Sequence, residues 1–199
     1  MVWNSYTIAT ALPPAELGNA PNAKEIASTR MDEHHFVYAN SRRGVIFAIL
    51  QKICTCSSIG TDLYILKDSA ILQEHEICSA ADSIQALLAA IEQNPDIVLE
   101  ATKTPYETTT EIHLDGFEPL GARIAYPEGA TIKDGWVYFY ERDEILAFLR
   151  SAESSTDPRP TYDDEGEGLE FLFGVLKSHL SLLRFAAESG SAFVFAEVN

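Results

Sequence analysis

Basic side chains are scarce in this chain. Fourteen lysines and arginines stand against thirty aspartates and glutamates among 199 residues, for a formal net charge of -16. Nucleic acid and anionic membrane are held through Lys and Arg that displace counterions, so this balance argues against both as partners. Surplus negative charge instead speeds encounter with basic proteins, although solubility alone is the plainer use of it. Cysteine is also scarce. There are three, an odd number, and Cys54 and Cys56 lie only two positions apart. That is no disulfide framework, and it suits reduced thiols in a cytoplasmic compartment. Long apolar runs are missing too: residues 45–50 form an unbroken stretch of six, far short of the ~20 that cross a bilayer. The first basic residue is Lys24, so the cationic start of a secretory leader is not found. Gly-rich phosphate loops, the G-x-S-x-G elbow, H-E-x-x-H and the dinucleotide fingerprint are absent as well. No cofactor is expected.

What is present is enough apolar residue, 46%, to build a core in one domain spanning residues 1–199. Strands are expected near residues 2–10, 35–39, 63–66, 97–101, 106–114, 122–126, 136–140 and 192–198, where β-branched and aromatic residues cluster or alternate. The clearest alternation sets Tyr106, Thr108, Thr110, Ile112 and Leu114 on one face, against Glu107, Thr109, Glu111 and His113. Asp134-Gly135 ahead of Trp136 suits the left-handed dihedrals of a tight hairpin turn. Pro13 or Pro14 opens a short helix ending near Gly18, and residues 19–32 read as loop with one turn of helix.

About four longer helices are expected. Ile46, Ile49, Leu50 and Ile53 give helical spacing within residues 45–53, narrowly preferred over a strand. Ser79 with Asp82 resembles a capping box ahead of the stripe Ile84, Leu87, Leu88 and Ile91, and Asn94-Pro95 ends that helix. A third carries Ile145, Phe148 and Leu149. The longest spans residues 169–188, with Leu169, Leu172, Phe173, Leu176, Leu180, Leu183 and Ala187 on one face and Glu170, Gly174, Lys177, Ser181, Arg184 and Glu188 opposite. Phe171, Val175, Leu182 and Phe185 fall outside the main stripe, a width that suits burial on a second side, as in a homodimer. Residues 151–168, with six acidic side chains and one Arg among Ser, Pro and Gly, form an acidic flexible loop. The irregular alternation of strands and helices, with an antiparallel stretch in the middle, predicts an α+β fold with an antiparallel or mixed sheet.

Several residue sets have chemical potential. Cys54, Cys56, His75 and Cys78 supply the four soft or borderline ligands of a structural zinc, in a spacing unlike paired CxxC knuckles. The plainer reading puts Cys54 in the core, Cys56 in a loop and Cys78 just before a helix, and no metal is expected. Asp32, Glu33, His34 and His35 combine carboxylate and imidazole, yet neighbours on a strand point to opposite faces. Glu141, Arg142, Asp143 and Glu144 stand where a strand meets a helix. There Asp143 as the helix cap is preferred to acid–base chemistry. Trp136, Tyr138 and Tyr140 alternate onto one side of their strand, either buried or presented as the amphipathic rings that interfaces favour.

The leading expectation is a non-catalytic acidic binding protein that docks a basic protein partner, by analogy with immunity-type proteins that neutralise a toxin. Its surfaces would be Trp136, Tyr138 and Tyr140 together with Asp157, Asp163, Asp164, Glu165 and Glu167. The alternative is a hydrolase or transferase whose carboxylates and histidines, His113 and His179 among them, converge only on folding. A small zinc protein is the third reading.

Overall fold

The computed structural model describes residues 6–19, 21–29, 36–39, 43–103, 131–133, 136–138, 141–154 and 169–198. The expectations for residues 106–114 and 122–126 lie outside them. Its architecture is α+β. Strands β1 (Tyr6–Leu12), β2 (Phe36–Ala39), β3 (Ser69–Leu72) and β6 (Ala192–Val198) form an antiparallel sheet in the order β2-β1-β6-β3. The two ends of the chain thus supply its central pair, with Tyr6 opposite Val198 and Leu12 opposite Ala192. β4 (Thr131–Lys133) and β5 (Trp136–Tyr138) pair separately, Lys133 against Trp136, in the register a two-residue hairpin requires.

Strand alternation divides the core in two. Ala9, Ala11, Phe193 and Phe195 face the helices, whereas Ile8, Leu12, Val194, Ala196 and Val198 face the other way, toward α1 (Ala23–Thr29). Both sides of β6 are therefore covered, which is why Ala-Phe-Val-Phe-Ala is apolar without a break. Helix α1 has two turns where the sequence suggests one. The Asn22 side chain starts it, accepting from the backbone N–H groups of Lys24 and Glu25 at 3.0 and 3.3 Å.

The remaining helices stack on the opposite face: α2 (Arg43–Ser57), α3 (Glu74–Gln93), α4 (Asp96–Lys103), α5 (Arg142–Ser151) and α6 (Leu169–Ser189). Six α-helices are thus present among the described residues, against the expectation of about four. Helix α2 forms as its spacing predicts, burying Ile49, Leu50, Ile53 and Cys54. Helix α6 lies against the sheet, with α3 and α5 packed on it. It ends as expected at Gly190, whose φ of 65° is a left-handed stop that glycine adopts without penalty.

Two expected strands are not strands. Residues 97–101 belong to α4, which begins right after Pro95, and Val98 and Ala101 are the residues it buries. β-branched composition suggests a strand there, but packing against α2 decides. At residues 63–66 the chain makes a 3-10 turn, Tyr64–Leu66, held by bonds from Leu66 N–H to the Leu63 carbonyl and from Lys67 N–H to that of Tyr64. A buried run of four cannot reveal its own period. The edge strand follows at Ser69–Leu72.

Helix starts also differ. Helix α3 begins five residues before Ser79, because the Glu76 carboxylate reaches back to the Gln73 N–H at 2.9 Å. Ser79 is interior to that helix. Helix α5 is capped at Glu141, not Asp143, with the Glu144 carboxylate 3.3 Å from the Glu141 N–H. No helix among the described residues is long and apolar enough to cross a membrane.

Candidate functional site

The residues singled out for catalysis do not converge among the described residues. Cys54 is buried in α2, and burial pushes its thiol up to about 11, which makes it a poor nucleophile. Cys56 is exposed in the same helix rather than in a loop. Cys78 is exposed inside α3, not ahead of it, one turn from the exposed His75. No three His, Cys, Asp or Glu side chains among the described residues gather closely enough to hold a metal. Glu141, Arg142, Asp143 and Glu144 are all exposed at the start of α5, and Arg142 meets Asp96 of α4 at 3.5 Å. Starting the helix is role enough for the three carboxylates, and a surface ion pair of this kind carries little energy. Asp32, Glu33, His34, His35 and His113 lie outside the described residues.

His179 does form a specific contact, though in the wrong place for catalysis. It is completely buried at the centre of the packed face of α6, not at its edge. Its Nδ1 lies 2.6 Å from the hydroxyl oxygen of Tyr64, which is itself buried on the 3-10 turn. Phe193 and Phe195 close around both rings, with centroids 5.1 and 5.4 Å from Tyr64 and 6.0 and 5.5 Å from His179. Burial pushes the imidazole down to about 3, so it stays neutral at ordinary pH. No substrate reaches a pair sealed this way. It is a polar pin through an aromatic core, joining the turn, the helix and the sheet.

The surface offers a shaped feature on α6. An open groove of about 470 Å³ runs along the outer side of α6, lined by Lys177, Leu180, Ser181, Arg184, Phe185 and Glu188, with Ser154 at its rim. Lys177 is fixed at one end. Its ammonium donates to the carbonyls of Leu149 and Ala152 at 2.6 and 2.7 Å, at the end of α5. Arg184 donates to the Gln85 side chain of α3 at 2.7 Å. One residue past Arg184, Phe185 stands half out of the surface at 50% exposure, the exposed large apolar residue of the described set.

The sequence carries part of this groove. Lys177, Ser181, Arg184 and Glu188 fall on the face opposite the main stripe, and Phe185 outside it. The rotation of α6 differs from the expected one, however. Leu180 and Ala187 are not buried, while Val175, Ser178, His179, Leu182 and Ala186 are. Val175 and Leu182 are covered within the chain itself, which leaves Phe185 as the exposed member of the extra apolar set.

Of the expected partner-binding residues, Trp136 and Tyr138 lie on β5, opposite Lys133 and Thr131. Tyr140, Asp157, Asp163, Asp164, Glu165 and Glu167 lie outside the described residues. Comparison with protein-family models, with curated proteins and with solved structures finds no match to this chain.

Proposed function

We propose that this is a non-catalytic binding protein whose acidic surface docks a basic protein partner in a reducing, cytoplasmic compartment, in the manner of a toxin-neutralising immunity protein. One observation supports the reading above others. Every described aspartate and glutamate is exposed or half-exposed, Glu188 at the groove included. With thirty acidic residues against fourteen basic ones, the protein carries a negative field outward. Such a field steers a cationic partner and raises its on-rate. Neither His179, neutral and sealed, nor Cys54, whose thiol burial keeps protonated, is placed for catalysis.

The test uses the protein immobilised and challenged with cell extract, followed by titration of each retained protein singly at low and high salt. Saturable one-to-one binding of proteins with basic isoelectric points, with Kd rising as salt is added, is the expected result. Retention of neutral or acidic proteins only, or a Kd indifferent to salt, would remove the basis for the reading.

A further inference from the structure

The six α6 residues of the groove are spaced symmetrically about the point between Leu182 and Leu183. Ser181 and Arg184 are equally far from it, as are Leu180 and Phe185, and Lys177 and Glu188. The two ends of the strip carry opposite charges, its shoulders are apolar, and its middle sets the small Ser181 beside the long cationic Arg184. That spacing belongs to any helix face; the opposite charges at the two ends are what let this one complement itself, the condition for an isologous two-fold contact. We propose that the groove is the contact surface of a homodimer in which α6 lies antiparallel against α6 of a second copy.

The antiparallel sense follows from charge. It sets Lys177 against the partner's Glu188 at both ends of the strip, whereas a parallel arrangement sets Lys177 beside the partner's Lys177. Near the axis Ser181 is small enough to let the helices approach, and the ring of Phe185 fills the space over the partner's Ser181. Leu180 meets the aliphatic stem of the partner's Arg184. The cations keep capacity for this. Lys177 commits two of its three N–H donors to the carbonyls of α5, and Arg184 commits one of five to Gln85. A single helix pair buries less than the ~1,200 Å² at which stable interfaces begin. The dimer is therefore weak and dependent on concentration.

Sedimentation velocity over a concentration series tests it, with circular dichroism confirming that each variant is folded. The weight-average mass of the wild-type chain should climb from the monomer value toward twice that value. Phe185→Asp should weaken association by about tenfold or more. Glu188→Lys should do the same, even though it lowers the net negative charge and so the repulsion between copies. Glu25→Lys makes the same charge change on α1, across the sheet from the groove, and should leave the dimer intact or tighten it. A mass that stays monomeric at every concentration overturns the proposal. So does an association that Phe185→Asp and Glu188→Lys leave untouched, or that Glu25→Lys weakens equally.

Discussion

His179 shows how one residue sets a pH limit on the fold. In the unfolded chain its imidazole takes a proton near its usual value of 6.5, whereas burial holds it at about 3 in the folded protein. Between those values the unfolded state binds the extra proton, so stability falls as pH falls, by about 1.4 kcal/mol per pH unit. Above 6.5 the residue adds no pH dependence. His179→Asn keeps a polar group near Tyr64 Oη but cannot titrate. Urea unfolding from pH 7 to pH 4 should find the variant less stable at pH 7, because it leaves a cavity, yet with a shallower loss toward pH 4. Equal slopes for the two proteins would mean that other groups set the acid limit. Lys177 supports a second residue-level expectation. Lys177→Met keeps the stem and removes both bonds to the Leu149 and Ala152 carbonyls, so it should cost about 1–2 kcal/mol in chemical denaturation. Hydrogen exchange should quicken most in the last turn of α5.

At the scale of elements, the first turn of α3 separates a true cap from an apparent one. Glu76→Ala removes the carboxylate that binds the Gln73 N–H and should cost about 0.5–1 kcal/mol in thermal or urea unfolding. Ser79→Ala puts a better helix former inside the same helix and should be neutral or slightly stabilising; a larger loss there would restore the cap suggested by Ser79 and Asp82. The contrast shows what local pattern can carry. Helix α6, Gly190 and strand β6 are legible because a 21-residue helix has room to display its period and glycine marks its end. Residues 97–101 are not, because Ile97 and Val98 favour a strand in isolation and only the contact with α2 makes them helical. The 3-10 turn at Tyr64 is hidden for want of length. The groove is legible in composition and illegible in phase. Which side of α6 faces outward is settled by the Tyr64 hydroxyl on His179 and by α3 and α5, all distant in sequence.

For the whole molecule, charge acts on two associations in opposite directions. A basic partner is attracted by the field of a body carrying -16, and salt shortens that attraction as the Debye length falls from about 10 Å at 0.1 M to about 3 Å at 1 M. Two copies of the chain repel each other through the same field, and salt relieves that repulsion. The Lys177–Glu188 pairs across the dimer weaken with salt too, but exposed pairs are each worth less than about 1 kcal/mol, so relief of the net repulsion dominates. Raising salt should therefore tighten the α6 dimer in sedimentation while it loosens partner binding in titration. The apolar contact of Phe185 leaves the first trend intact, since it gains nothing from the field and is not screened. If both associations weaken with salt, the dimer is held by its end charges and Phe185→Asp should matter little. If both strengthen, the negative surface is not what the partner recognises.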